Sequence, residues 1–146
     1  MDRETLIERI RAGVLAACDD VSGVILFGSF ARGRPAHDVD VLVVVRGAGK
    51  PRREWDAQVI AIRRAIGPLG LDVDVLIYTE EEFRVGLLSR FPLLLDVAFD
   101  GQIIHGDGEL RSLLQRTRQD VALRGIQRTE TGGWRFPVRY RQRTLL

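Results

Sequence analysis

The sequence predicts an α/β or α+β domain built around a small sheet. Apolar runs of strand length alternate with stretches whose apolar residues recur at helical spacing. The length of 146 residues and the hydrophobic share of 45% suit a globular domain whose core needs no disulfide or structural metal. A full doubly wound dinucleotide fold is excluded, because the chain is short and the glycine pattern of that fold does not follow the first strand.

In the first half of the chain, the spacing and type of apolar residues distinguish helices from strands. Residues 2–17 have apolar side chains three and four positions apart with charges between them, which predicts an amphipathic helix. Short apolar runs over 24–27 and 39–45, the second rich in valine, predict buried strands. Residues 55–66 repeat apolar side chains at helical spacing and are followed by a Gly-Pro pair, which predicts a second helix.

The second half continues with one more long strand and a series of helices. Alternation of polar and apolar residues over 71–78 predicts the strand. Thr79 and Glu82 have the spacing of a capping box, which predicts that a helix begins there. The predicted elements after the strand are a helix over 80–90, a short helix from Pro92 to about 98, a small strand over 102–105 and a final helix over 109–123.

The charges divide the chain into an acidic body and a basic end. Residues 1–110 carry 13 basic and 18 acidic side chains, whereas residues 111–146 carry nine arginines and two acids. We therefore predict a domain over 1–124 and an arginine-rich C-terminal extension over 125–146. The extension would bind nucleic acid, an acidic protein surface or the body of the same chain.

Aromatic residues are interleaved with the arginines of this extension. Trp134, Phe136 and Tyr140 alternate with basic residues that include Arg135 and Arg139. Such a segment can stack on nucleic-acid bases, dock as a strand, or become ordered only with a partner. We favour packing on the domain or on a partner protein over base stacking.

Cysteine content and hydropathy indicate the compartment. A single cysteine, Cys18, cannot form an internal disulfide, which fits a reducing compartment. No apolar run approaches the roughly 18 residues needed to cross a bilayer, and the charged start does not resemble a signal peptide. We therefore expect a cytoplasmic protein without membrane contact.

Two aspartates stand two residues apart on the second predicted strand. Asp38 and Asp40 would project from the same face, where their carboxylates repel one another. A divalent cation would relieve this repulsion and use both groups as oxygen ligands. A solvated strand end would also accommodate both acids, and the spacing alone does not decide between the two interpretations.

A glycine-serine turn precedes this strand and favours the metal interpretation. Gly28 follows a buried strand and allows a ligand to approach the backbone, and Ser29 is placed to cap a short helix that runs through Arg32. The free N–H groups of a helix start attract phosphate. Phosphate and cation would then share a small volume, as metal-dependent phosphoryl or nucleotidyl transfer requires.

A third carboxylate is expected from the neighbouring strand. Asp72 and Asp74 point to the same side of that strand by alternation. Asp74 lies deeper among apolar residues, where a carboxylate without a cation or hydrogen bonds is costly. We therefore predict Asp74 as the third acid and Asp72 as a strand-edge residue.

Two motifs in this part of the chain are Gly28-Ser29-Phe30-Ala31-Arg32-Gly33 and, after a short spacer, Asp38-Val39-Asp40-Val41-Leu42-Val43. Together they resemble the signature of the polymerase-β-like nucleotidyltransferase superfamily, and most closely its minimal nucleotidyltransferase group. The resemblance covers about residues 20–105 and implies the nucleotidyltransferase fold, a mixed β-sheet flanked by helices. It implies Mg²⁺, as two ions, held by Asp38, Asp40 and Asp74.

The same resemblance implies how a nucleotide is bound. ATP or another nucleoside triphosphate would be held by Gly28 and Ser29 through its phosphates. Arg32 stands where the family usually has arginine, and it either contacts phosphate or forms an ion pair with an acid such as Asp38. His37 replaces the serine that commonly precedes the first aspartate, and we interpret it as an exposed loop residue.

The implied activity is transfer of a nucleoside monophosphate, AMP from ATP, to an acceptor hydroxyl. Members of the minimal group resemble antitoxins that are paired with a helical HEPN protein and can adenylylate it, so a HEPN-type protein is the expected partner. Two alternatives stay open. The domain could bind nucleotide or a partner toxin without transfer, or it could act on RNA or DNA held by the basic extension.

Overall fold

A computed structural model describes residues 1–137 as a four-stranded mixed sheet with helices on both faces, followed by a small hairpin. Within that range, no helix combines the length and the hydrophobicity needed to cross a bilayer. The helices are α1 (Arg3–Ala17), α2 (Gly28–Ala31), α3 (Arg52–Ile66), α4 (Glu80–Leu88), α5 (Pro92–Asp100) and α6 (Gly108–Leu123). The strands are β1 (Val21–Phe27), β2 (Asp38–Val45), β3 (Asp72–Thr79), β4 (Gln102–His105), β5 (Gln127–Arg128) and β6 (Trp134–Arg135).

The sheet has the strand order β3-β2-β1-β4. β1 runs antiparallel to both of its neighbours, whereas β2 and β3 run parallel because α3 connects them. The expected mixed sheet flanked by helices is therefore confirmed. This topology brings the end of β1 and the starts of β2 and β3 to the same edge of the sheet.

The central strand β2 is buried on both faces and divides the core in two. Val41 and Val43 belong to the layer that β2 forms with α1 and α3. Leu42 and Val44 point the other way, into the layer formed with α4, α5 and α6. Burial on both faces explains why 39–45 reads as a continuous apolar run rather than an alternating one.

Most predicted elements are confirmed, with differences at their ends. The first strand begins at Val21, three residues before its apolar run, because Val21 pairs with Val45 of β2. The predicted helix over 80–90 ends at Leu88, and Arg90 follows in the left-handed region with φ 55°. The capping box that opens this helix is present, since the Thr79 hydroxyl accepts from the Glu82 amide and the Glu82 carboxylate accepts from the Thr79 amide.

The hairpin formed by β5 and β6 packs against the body of the domain. The Trp134 ring lies 5.1 Å from the Phe99 ring, and its Nε1 donates to Asp96 at 2.9 Å. For this part of the extension, packing on the domain is the alternative that the structure shows. Tyr140 and its neighbouring arginines lie outside the described residues, and the division of the chain at residue 124 stays a prediction.

Candidate active site

Four carboxylates line the edge of the sheet where β1 ends. Asp38 pairs with Asp72, and Asp40 pairs with Asp74, in the parallel register of β2 and β3. Residues paired in this way project from the same face of the sheet. All four acids therefore lie on the side of the sheet that α4, α5 and α6 cover farther along the strands.

Asp40 is the most enclosed of these acids. It is half-buried, whereas Asp38, Asp72 and Asp74 are exposed. Burial raises the pKa of the Asp40 carboxyl, and the negative charges of Asp38 and Asp74 raise it further. Asp40 thus lies where negative charge is concentrated and poorly hydrated.

Gly28 makes the closest approach between the turn and the carboxylates. Its φ of 78° is in the left-handed region, which favours glycine. A methyl group at this position would overlap the Oδ2 atom of Asp40. The glycine is therefore required both by the turn and by the contact with Asp40, which places the turn beside the second aspartate.

Gly28 opens α2, a helix of a single turn, and Arg3 holds this helix in place. The Arg3 Nη1 atom donates to the Phe30 carbonyl at 3.0 Å, and its guanidinium lies 4.3 Å from the centre of the Phe30 ring. The prediction that Ser29 caps this helix is wrong. The helix already begins at Gly28, whose carbonyl accepts from the Arg32 amide, so Ser29 lies inside the first turn.

Arg32 extends from the end of α2 toward α5. Its Nε lies 3.9 Å from the Oδ2 atom of Asp100. Of the two alternatives for Arg32, an ion pair with an acid is present, but the acid is Asp100 rather than Asp38. The separation exceeds a hydrogen-bond length, so the guanidinium keeps N–H groups for another acceptor.

Asp74 lies on β3, which is an outer strand of the sheet and has no strand on its far side. Arg63 of α3 reaches this edge, where its Nε donates to the Val73 carbonyl at 2.8 Å and its Nη2 lies 3.6 Å from Asp74 Oδ1. Arg63 is a site residue that the sequence did not reveal, since nothing in the pattern of α3 distinguishes it from Arg64.

The carboxylates at this edge are suitable ligands for a divalent cation, but they do not surround a position where a cation could sit. Within residues 1–137, no three acidic, histidine or cysteine side chains converge closely enough to hold a metal ion. The acids of this edge repel one another, and Asp74 forms an exposed ion pair with Arg63. Carboxylate oxygens are the ligands that Mg²⁺ prefers, and a cation would relieve the charge that raises the pKa of Asp40. The assignment of Asp38, Asp40 and Asp74 as ligands stays a prediction.

His37 is the exposed loop residue that the sequence analysis predicts, and several other residues of the domain have structural positions. His37 is exposed, and its carbonyl accepts from the Asp72 amide at 3.1 Å. Ile62 is buried between α3 and the sheet, and Trp55 and Val59 pack against the same cluster. His105 pairs with Val24 in the sheet. Ile62, Trp55 and Val59 pack on the face of the sheet opposite the carboxylates, whereas His37 directly precedes Asp38 at the carboxylate edge.

Solved structures of low sequence identity share this fold. A chain in a crystal structure from Shewanella oneidensis has a TM-score of 0.53 and 16% identity, covering 85% of this chain and 93% of that one. A chain in a toxin–antitoxin crystal structure with AMP-PNP has a TM-score of 0.52 and 20% identity, covering 82% and 92%. A chain in the structure of a tri-AMPylated Shewanella oneidensis HEPN toxin with MNT antitoxin has a TM-score of 0.52 and 17% identity, covering 85% and 93%.

The sequence itself matches a family model over the part of the chain that contains most of the site. No curated protein matches the sequence. Residues 7–62 match the model of the nucleotidyltransferase domain, a segment that includes Gly28, Asp38 and Asp40. The resemblance to nucleotidyltransferases and the predicted enzyme class are thereby confirmed.

Proposed function

We propose that this domain transfers a nucleoside monophosphate, AMP from ATP, to an acceptor hydroxyl, with a HEPN-type protein as its partner. One observation carries the proposal. Asp40 lies in register with Asp74 on one side and against Gly28 on the other. Carboxylates and a phosphate-binding turn are thus adjacent, as metal-assisted nucleotidyl transfer requires.

The proposed roles follow from the position of each residue. Gly28 and Ser29 present the backbone of the turn to the triphosphate, and Arg32 adds positive charge. Asp38, Asp40 and Asp74 would hold Mg²⁺, which, when bound, neutralises charge on the phosphate oxygens.

The exposed edge of the sheet is the side from which an acceptor can approach. Asp74 is exposed there, and it would take the proton from the acceptor hydroxyl. The acceptor oxygen then forms a bond to the α-phosphorus, and pyrophosphate leaves with the electrons of the bond that breaks. Proton transfer and metal binding would thus involve the same carboxylate edge.

Similar structures support the choice of nucleotide and partner. One contains AMP-PNP with a toxin–antitoxin pair, and another contains an AMPylated HEPN toxin with an MNT antitoxin. By analogy, ATP is the donor and a HEPN-type protein supplies the acceptor hydroxyl. We place the reaction in the cytoplasm, where ATP is available and the buried Cys18 thiol stays reduced.

Transfer of label from α-labelled ATP in the presence of Mg²⁺ tests this proposal, with a HEPN-type protein as the candidate acceptor. Asp38→Asn, Asp40→Asn and Asp74→Asn are each expected to lower the transfer rate at least about a hundredfold. Asp72→Asn is the matched control, because it removes the same charge from the same face of β3, and its rate is expected to stay close to that of the wild type.

Two outcomes would contradict the proposal. Equal rates for the wild type and for the Asp38, Asp40 and Asp74 variants would remove these carboxylates from the reaction. Binding of ATP without transfer to any acceptor would instead indicate the alternative, a nucleotide-binding module.

A further inference from the structure

Asp100 connects the nucleotide-binding turn to the C-terminal hairpin. It is the last residue of α5, two positions before Gln102, which pairs with Leu26 near the end of β1. Its side chain is only 12% exposed. One carboxylate oxygen accepts from Arg128 at 2.9 Å, and the other lies 3.9 Å from Arg32. A single buried charge therefore faces two arginines from distant parts of the chain.

Arg128 holds this carboxylate firmly. Its Nη2 also donates to Asp96 at 3.0 Å, and its guanidinium lies 4.7 Å from the centre of the Trp134 ring. The hydrogen bond to Asp100 raises the pKa of Arg128 above its ordinary value. The guanidinium is therefore fixed on three sides, and a fixed donor competes well for a shared acceptor.

Arg32 is held much more weakly by the same carboxylate. At 3.9 Å it forms a loose ion pair and no hydrogen bond. Arg128 forms the hydrogen bond to Asp100 and so occupies one of its two carboxylate oxygens, while Arg32 stays at ion-pair distance from the other. Without Arg128, Arg32 would be the nearest cation to an enclosed carboxylate and would be drawn onto it.

We propose that Arg128 is a positioning residue for the nucleotide site: by engaging Asp100, it keeps the Arg32 guanidinium available to the triphosphate. The inference rests on the proposed function, because it takes the triphosphate as the ligand of Arg32. It assigns the hairpin, which lies outside the segment matched by the family model, a part in nucleotide binding.

Titration calorimetry with MgATP and with Mg²⁺-tripolyphosphate tests this role. Arg128→Gln is expected to raise Kd about fivefold, close to the effect of Arg32→Gln, because Asp100 then captures Arg32. Asp100→Asn is expected to bind as tightly as the wild type or more tightly, since no carboxylate competes for Arg32. The double variant Arg128→Gln/Asp100→Asn is expected to regain the wild-type Kd, whereas a purely structural loss at Arg128 would persist in it.

A matched control separates this effect from a general loss of arginine. Arg124→Gln removes an arginine that is bound to Asp120 on α6, and its Kd is expected to equal that of the wild type. In transfer assays, Arg128→Gln is expected to raise KM for ATP about fivefold and to leave kcat unchanged, because only binding depends on Arg32 availability.

The results distinguish this inference from the proposed function. An unchanged Kd in Arg128→Gln, or a double variant as weak as Arg128→Gln, would overturn the inference while ATP binding by the wild type still stands. If Arg128→Gln does not fold, Asp100→Asn decides, because weaker binding in that variant would overturn the inference. A wild type that binds neither ATP nor tripolyphosphate would refute the proposed function itself.

Discussion

At the scale of single residues, the site depends on the contact between Gly28 and Asp40. The left-handed backbone of Gly28 turns the chain directly beside the carboxylate, and no side chain separates the two. Asp40 is thereby held between the turn that we propose binds phosphate and Asp74 on the neighbouring strand. A displacement of Asp40 would move a carboxylate that we propose binds Mg²⁺. Small displacements of groups that take part in a reaction lower its rate strongly.

Gly28→Ala tests this contact, with Gly33→Ala as its matched control. The two glycines have φ of 78° and 74°, so both substitutions introduce the same backbone strain, of about 1 kcal/mol. Only at Gly28 does the new methyl group overlap Asp40, and nothing lies within 4 Å of it at Gly33. We expect at least a roughly tenfold loss of transfer from labelled ATP for Gly28→Ala alone. Equal activity of the two variants would show that the contact does not position Asp40.

Residue-scale features were predicted from the sequence where they are local, and missed where they are not. The turn and the Asp38–Asp40 pair lie within one short stretch, and strand alternation placed Asp72 and Asp74 on one face. The burial by which the sequence analysis chose Asp74 over Asp72 is not observed, because Asp74 lies exposed on the outer strand. Asp100 and Arg128 are 28 positions apart, and no periodicity or motif relates them. Contacts of this kind depend on the tertiary packing of helices, which the local pattern does not encode.

At the scale of elements, α4 and α6 are joined by a small ion-pair network. Asp120 of α6 accepts from Arg124 at 2.8 Å and from Arg90, in the turn after α4, at 2.9 Å. The left-handed backbone of Arg90 directs the chain from α4 into α5. Asp120 thus links the last turn of α6 to the turn between α4 and α5.

This network predicts a pH dependence of stability. The hydrogen bond from Arg124, and then that from Arg90, hold the pKa of Asp120 below the usual 3.8. The stabilisation that the ionised Asp120 carboxylate provides is therefore complete above about pH 4. It is lost as the pH falls through the lowered pKa of this group. Asp120→Asn is expected to reduce the free energy of unfolding at pH 7 by no more than about 1 kcal/mol, because the pair is exposed to solvent. The difference from the wild type should shrink as the pH is lowered below 4 in urea titrations.

Asp56→Asn serves as the control for this measurement. Asp56 is an exposed acid of α3 and forms no ion pair within residues 1–137. Its substitution is expected to leave the stability difference between pH 7 and pH 3 unchanged. A difference for Asp120→Asn that stays constant across this range would contradict the role given to the ion pair.

At the scale of the whole molecule, ion pairs between the basic end of the chain and its acidic body account for part of the charge asymmetry. Arg128, from the basic end, forms ion pairs with Asp96 and Asp100 of the acidic body and offsets part of their negative charge. The sequence predicted this separation of charge and left its partner open among nucleic acid, another protein and the body. The choice depended on where α5 places its two acids, which became apparent only with the fold.

Trp134→Ala tests whether the hairpin contributes to the stability of the domain. The indole packs on Phe99 and Arg128 and donates to Asp96, so its loss is expected to lower the free energy of unfolding by about 2 kcal/mol. Phe136→Ala is the matched control, because Phe136 is 42% exposed and its loss should cost less than about 0.5 kcal/mol. Urea unfolding measures both. If Trp134→Ala were as stable as Phe136→Ala, the hairpin would not be held on α5 in solution, and its aromatic side chain would be free to stack on nucleic-acid bases instead.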